Sequence, residues 1–318
     1  MLAAEAWRVA CLGHMAGDQM DIPGVQSSWL KPATSSQVLL AVFAHPDDET
    51  FGPGGTLARY AADGVDVHYA CATRGEVGTV DAELMQGFAS VGDLRWHELE
   101  SAVRLLGLTG LHWLGYRDSG MPGTEDNRHP DALVQANHNQ VVERIVAVIR
   151  ALRPQVVITF DPCGGYGHPD HVSVHYATKK AFAIAGDPTQ YPEQIASGLQ
   201  PFSPHKLYYT AFPKGFLKIA VTVLRFLGKD PARFGRNQDI NLAEIATWDQ
   251  QVTTRIDIGH YLDLKQRAGE CHKSQAGPGG MFSWLPGPIR RRVLGAETFE
   301  RVQPPVNGKI KLETDLFA

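Results

Sequence analysis

The chain has 318 residues, 43% apolar and 20% charged, with a formal net charge of -4, which is the composition of an ordinary globular protein large enough for a sizeable core. An acidic balance whose one basic run is the short Arg290-Arg291-Arg292 gives no support for a nucleic-acid or polyanion binder. Cys11, Cys71, Cys163 and Cys271 lack any CxxC spacing, and neither a membrane-spanning apolar stretch nor a signal-peptide pattern is present, so a cytoplasmic chain without a disulfide framework is expected.

Residues 1–36 show no clear period and include Pro23, Gly24 and the polar Thr34-Ser35-Ser36, which reads as a loosely attached arm. After Gln37, short β-branched runs alternate with helical periods, the signature of βα units and a largely parallel sheet. The first strand is Val38–Phe43, followed by Ala44-His45-Pro46-Asp47-Asp48-Glu49 and a helix near Thr56–Ala62. A second strand, Val65–Ala72, ends in Thr73-Arg74-Gly75-Glu76. A helix over about 93–106 places Trp96, Leu99, Val103 and Leu106 on one face. The short strand Leu111–Leu114 empties into Gly115-Tyr116-Arg117-Asp118-Ser119-Gly120-Met121, and a helix near Asn137–Leu152 is stopped by Pro154. The fourth strand, Val156–Phe160, delivers Asp161 to His171, including Tyr166 and His168-Pro169-Asp170-His171, and a helix runs on from His171. Further along, Leu207–Thr210 and Thr253–Ile258 read as strands, Tyr261–Cys271 as a helix, and Phe212–Gly228 as an apolar segment interrupted by Lys214, Lys218 and Arg225.

Four successive strands therefore end in clusters of polar residues and glycines. In open α/β sheets ligands bind beyond the carboxyl ends of the strands, so the pattern itself locates a site. An imidazole and three carboxylates within five residues need partners if they are buried, and a divalent metal is the natural one. Imidazole nitrogens and carboxylate oxygens suit zinc, with ferrous iron as the alternative ion. His45 and Asp48 can converge on one ion, with His171 as the third ligand. Asp47, next to a ligand, is then free to act as general base. His168, Tyr166 and Arg74 are available as donors to an oxyanion, His168 being taken as charged, and Asp170 is placed to orient a histidine. Glu49 is left to support the turn. Arg74 with Glu76, and Arg117 with Asp118, read either as substrate contacts or as structural ion pairs.

On the full AHPDDE-type motif Ala44–Glu49 and the HPDH-type motif His168–His171, the chain resembles the LmbE-like, or PIG-L, family of metal-dependent N-deacetylases. The strings Thr73–Glu76, Tyr116–Met121 and Gly164–Gly167 are similar to the branch containing the mycothiol-pathway deacetylase and the mycothiol-conjugate amidase. The resemblance spans about residues 37–275. It implies zinc ligands at His45, Asp48 and His171, a general base at Asp47, a charge-stabilising His168 held by Asp170, and a mobile Tyr166 that polarises the amide carbonyl. Arg74 and Asp118 would contact sugar. Lys265 and His272-Lys273-Ser274-Gln275 match a family segment whose role spacing does not reveal.

The expectation is a Rossmann-like three-layer α/β fold with a mostly parallel sheet: the arm, a catalytic domain over 37–275, and a C-terminal extension over 276–318 packed on the same domain. The expected activity is hydrolysis of the N-acetyl group of an N-acetylglucosamine-type sugar or conjugate through zinc-activated water. The partner is a small amino-sugar substrate, with no nucleic acid and no membrane span, and a homo-oligomer is compatible with the sequence. An amidase cutting a mycothiol-conjugate-like amide is the nearest alternative, a non-haem iron oxygenase shares the ligand set, and a non-catalytic glycan-binding protein is a third reading.

Overall fold

The apolar run Val38–Phe43 forms a strand near the middle of an eight-stranded sheet in the computed structural model. The structure describes residues 22–29, 31–32, 34–211, 214–226, 228–233, 238, 240–248, 250–275, 291, 294–306 and 311–318. In chain order the strands are β1 (Gln26–Trp29), β2 (Val38–Phe43), β3 (Asp66–Cys71), β4 (Gly110–Trp113), β5 (Val156–Thr159), β6 (Lys206–Thr210), β7 (Thr254–Asp257) and β8 (Ala296–Gln303). They lie in the order β1-β4-β3-β2-β5-β6-β8-β7. From β4 across to β6 every pairing is parallel, and the edges are antiparallel, β1 on β4 and β8 between β6 and β7. This is the expected Rossmann-like architecture.

Parallel strands covered on both faces read as continuous apolar runs rather than alternating ones. In β2, Leu39 to Phe43 are all buried, and each such large side chain contributes about 2 kcal/mol of burial. The helices used below are α1 (Asp48–Phe51), α2 (Gly54–Ala62), α3 (Val91–Leu106), α4 (His138–Leu152), α5 (Pro169–Ile184), α6 (Lys214–Phe226) and α7 (Leu262–Gly269). Their starts follow from local chemistry. Ser90 caps α3 by accepting the Asp93 N–H at 3.1 Å, Asn137 caps α4, and Pro169 opens α5, where its missing N–H costs nothing. The His45 and His171 clusters lie at the carboxyl ends of the adjacent parallel strands β2 and β5, which brings together residues 126 apart in sequence.

One reading of the termini differs from the structure. Residues 26–29, assigned above to a loosely attached arm, pair with β4 as an edge strand in register Gln26 to Trp113. Gln-Ser-Ser-Trp lacks the apolar alternation that would reveal a strand, since an edge strand buries little. The extension supplies β8, which pairs with both β6 and β7, so its described part belongs to the sheet. Residues 1–21 and 276–290 lie outside the described residues. The segment around Phe212–Gly228 is helix α6, with Leu217 and Val221 buried against Ile245 and Ala246. Among the described residues no helix is long and apolar enough to cross a membrane.

Candidate metal centre and active site

The turn that leaves β2 is fixed by its own side chains. Asp48 Oδ2 accepts the backbone N–H groups of Ala44 (3.2 Å) and His45 (2.8 Å), which aims the other face of its carboxylate across the sheet end. There it meets α5. His171 Nε2 lies 3.5 Å from Asp48 Oδ1 and 3.0 Å from His45 Nδ1, and His45 Nδ1 is 3.8 Å from Asp48 Oδ2. His45 and His171 are buried.

The second nitrogen of each ring decides what faces this point. His171 Nδ1 is 3.0 Å from the Gly164 carbonyl, which can only accept, so Nδ1 carries the proton and Nε2 presents a lone pair. Gly164 is at φ +63°, and a Cβ there would lie 2.6 Å from His171 Cβ, so glycine is what lets the carbonyl come this close. His45 Nε2 lies against Asp170 Oδ2 (3.1 Å) and Asp118 Oδ1 (3.4 Å), both acceptors, so Nε2 is a donor. Its Nδ1 then points a lone pair at His171 unless a proton sits between them.

The charge balance says the same. Burial works to lower the His45 pKa, but Asp118, Asp170 and Asp48 together raise it well above its ordinary value. Burial pushes Asp48 up to about 7, helped by the charges of Asp47 and Glu49 and opposed by His45. One Asp170 oxygen, Oδ1, is buried without a hydrogen-bond partner. Two imidazole lone pairs and a carboxylate converge on one point inside a surplus of buried acid, and this donor set fits a divalent cation. His168 also brings a ring nitrogen within 4.8 Å of ligand atoms of His45 and His171.

Asp47 stands beside this point at φ 119°, a left-handed conformation that non-glycine residues rarely adopt. Burial raises its pKa, and the Arg95 guanidinium, 3.1 Å away, pulls it back. Glu49, fully buried, accepts the Asp47 N–H at 2.9 Å and pairs with His272 at 2.6 Å. Burial would raise the Glu49 pKa, but the His272 charge and hydrogen bond outweigh it and hold Glu49 below its ordinary value.

The family model described as GlcNAc-PI de-N-acetylase matches residues 40–182. Among curated relatives, a 1D-myo-inositol 2-acetamido-2-deoxy-alpha-D-glucopyranoside deacetylase from Thermobifida fusca is 38% identical, over 88% of this chain and 98% of its own length. The Rhodococcus jostii protein of the same name is 40% identical, over 85% of this chain and 92% of its own length. In fold, the chain is similar to the N,N'-diacetylchitobiose deacetylase of Pyrococcus horikoshii, with TM-score 0.58, 23% identity and 83% of each chain covered. The chain belongs to the PIG-L family. It is an amide-hydrolysing N-deacetylase of that family, as the two motifs imply.

The remaining PIG-L residues named from the sequence divide by partner. His168 Nδ1 accepts the Asp170 N–H at 3.2 Å, so in the neutral ring Nε2 is the donor. Burial, with the charge of His45, lowers the His168 pKa to about 3, against the charged form expected from the sequence. The Asp170 carboxylate takes the Ser119 N–H at 2.9 Å and His45 Nε2 at 3.1 Å. It therefore holds His45 by a side-chain hydrogen bond, whereas the resemblance implies that it holds His168. The Tyr166 ring lies 4.9 Å from His171 and 6.0 Å from His168, on a glycine-rich turn that Asp161 secures through the N–H groups of Cys163 and Gly165.

Neither suspected ion pair forms between its named partners' side chains. Arg74 stacks over Trp113, with Cζ 4.1 Å from the ring centroid, and over Trp96 at 5.3 Å, and it meets Asp93 at 3.5 Å. Glu76 accepts the Asp118 N–H at 2.9 Å, while Arg117 turns to Asp126 at 2.6 Å. The Asp118 carboxylate accepts from Gly120 (2.9 Å) and Val77 (3.3 Å) and enters the site against His45. Burial works against its charge, but His45 and the Gly120 N–H hold its carboxyl well below the usual range.

Sequence reasoning missed Arg95 and Glu98. Both are buried on the stripe of α3 that carries Leu99, Ala102 and Leu106, and a charged pair on an apolar stripe was the available signal.

Proposed function

We propose that the protein removes the acetyl group from an N-acetylglucosamine conjugate with an inositol-type aglycone, using zinc held by His45, Asp48 and His171. The observation that carries this reading is the convergence of two imidazoles and one carboxylate next to a further acid, Asp47, whose Oδ2 is held by Arg95. Relatives that match nearly the whole chain and bear the name of an inositol-GlcNAc deacetylase support the choice of substrate. When bound, zinc supplies Lewis acidity toward the acetyl carbonyl and lowers the pKa of water to roughly 7.

The chain's own residues do the rest. Asp47 accepts the proton of the attacking water on its carboxylate and returns it to the departing amine nitrogen. His168 donates its Nε2–H to the oxygen that becomes negative. Tyr166 flanks the same edge of the site. Asp170 fixes the His45 tautomer, so His45 always turns the same nitrogen inward. Arg74, on its two indole rings, stands at the end of β3 as the contact for the sugar or its aglycone.

The test is to load the protein with zinc, supply 1D-myo-inositol 2-acetamido-2-deoxy-α-D-glucopyranoside beside simpler N-acetyl sugars, and measure acetate and free amine in parallel. Stoichiometric release of both, fastest with the inositol conjugate, is expected. Acetate release equally fast from every sugar would refute the aglycone assignment. Silence on acetyl sugars with cleavage of a cysteinyl amide would replace the deacetylase reading with the amidase one.

A further inference from the structure

Asp47 adopts a backbone conformation that a non-glycine residue does not take without being held. We propose that Arg95 on one side, and the Glu49–His272 pair on the other, are positioning residues that clamp Asp47 in its working orientation. The proposal rests on the reading of Asp47 as the general base.

One jaw grips the carboxylate. Arg95 is buried along α3, and its Nη2 donates to Asp47 Oδ2 (3.1 Å) and to the Pro46 carbonyl (2.7 Å), while Nη1 donates to the Gly75 carbonyl (2.9 Å). The fork thus ties the carboxylate both to its own turn and to the loop after β3. Gly75 is at φ +69°, and a Cβ there would lie 2.1 Å from Arg95 Nη1, so the loop is shaped around the guanidinium. The grip uses Oδ2.

The other jaw grips the backbone. The Asp47 N–H donates to Glu49 Oε2 at 2.9 Å, and Glu49 Oε1 is held by His272 Nε2 at 2.6 Å and by the Thr50 hydroxyl at 2.5 Å. His272 comes from the segment after α7, and that segment is anchored in turn. Ser274 donates its N–H (2.8 Å) and hydroxyl (2.5 Å) to Glu98, which lies three residues on from Arg95 along α3. A single helix therefore sets the position of both jaws.

Holding a turn in place does not require this many buried charges. Burying an arginine and a Glu–His pair carries a desolvation penalty that apolar packing would avoid. Their placement makes sense for a carboxylate that has to keep one direction and one backbone conformation while a proton comes and goes. A shift of about 1 Å in such a group is enough to slow a reaction by on the order of 10²-fold.

The experiment compares Arg95→Met, Arg95→Lys, His272→Gln and Asp47→Asn, with the double variant Asp47→Asn/Arg95→Met, in the full-length zinc-loaded protein. Four quantities are read: kcat and KM for acetate release, metal per chain, and the Asp47 backbone angle in crystals. Arg95→Met should lose about 10²-fold in kcat with KM within about threefold and metal retained, and Arg95→Lys should recover about tenfold of that loss. Because Arg95 acts through Asp47, the double variant should be no slower than Asp47→Asn alone. In crystals of Arg95→Met or His272→Gln, Asp47 should leave positive φ. Full kcat in Arg95→Met, multiplicative losses in the double variant, or metal lost in step with activity would overturn the clamp. If Arg95→Met does not fold, Arg95→Lys and His272→Gln carry the same comparisons. Should the wild type release no acetate at all, the general-base reading falls, while metal content and the Asp47 angle still decide the clamp.

Discussion

Glu297 offers a direct measure of how firmly the C-terminal strand is tied to the site. It lies on β8, and its two oxygens accept the N–H groups of Gly55 (2.9 Å) and Thr56 (2.7 Å) in the first turn of α2. Lys265 on α7 reaches the same carboxylate at 2.6 Å and also donates to the Gly52 carbonyl at 2.7 Å, where α1 ends. Glu297→Ala would leave two helix N-terminal donors without their acceptor, at about 1 kcal/mol each, and remove an anion from the positive end of α2, at about 1 kcal/mol more. The orphaned Lys265 is 21% exposed and partly solvated, so its share is held to a few tenths of a kcal/mol. The expected loss is therefore about 3 kcal/mol. With an unfolding entropy of about 2.1 cal/mol/K per residue over 318 residues, this lowers Tm by about 4–5 °C. Glu297→Gln keeps an oxygen for one N–H and should lose roughly half as much. Differential scanning calorimetry on the two variants and the parent reads the effect, and a shift below about 1 °C for Glu297→Ala would refute the reasoning.

Asp48→Ala, which removes one of the three proposed ion donors, should leave a folded chain whose metal content after dialysis falls to about a tenth of the parent or less, read by elemental analysis. Arg74→Lys keeps the charge but gives up the flat stack on Trp113 and Trp96. It should raise KM for the inositol conjugate about tenfold with kcat little changed, as steady-state kinetics will show. Away from the site, burial lowers the His68 pKa to about 4, and burial also holds His112, 3.1 Å away, well below its ordinary value. The folded value lies below the unfolded one, so the stability His68 contributes is present above pH about 6.5 and is lost as pH falls toward 4, by on the order of 3 kcal/mol. Denaturant melts of the parent and His68→Asn at pH 7 and pH 4.5 test this, and the stability gap between them should shift against the parent on acidification.

The parts of the fold that could be read from sequence are those where burial is symmetrical. Val38–Phe43, Val156–Thr159 and the apolar face of α4 lie inside the molecule on continuous patterns, and their bounds agree with the sequence to within a residue or two. The strands β1 and β8 escaped because they are antiparallel additions with polar composition. Along β8 only Phe299 is fully buried, between Glu297, Glu300 and Arg301, so no period marks it. The residues proposed to hold the ion stand out in the sequence because they sit in two short runs that packing alone does not explain. The contact from Asp170 to His45 is not legible, since a carboxylate two residues from one histidine and adjacent to another gives no hint in sequence that it reaches across the sheet end.

Each of the three proposed ion donors and Asp47 lies between His45 and His171, yet the turn that carries three of these four residues is held largely from outside that interval. Lys265 ties down Gly52, Glu297 receives the first N–H groups of α2, and His272 sets Glu49, which in turn holds the Asp47 N–H. These three contacts come from α7, from β8 and from the segment that α3 anchors through Glu98. Parallel βα units can deliver polar loops to one end of a sheet, but a loop with an imidazole and three carboxylates in a row repels itself unless counter-charges are fixed around it. The antiparallel C-terminal elaboration supplies Lys265 and His272, and α3 supplies Arg95. The geometry that separates Asp47, the proposed base, from Asp48, the proposed ligand, two adjacent aspartates on one turn, depends on residues some 50 to 250 positions further along the chain.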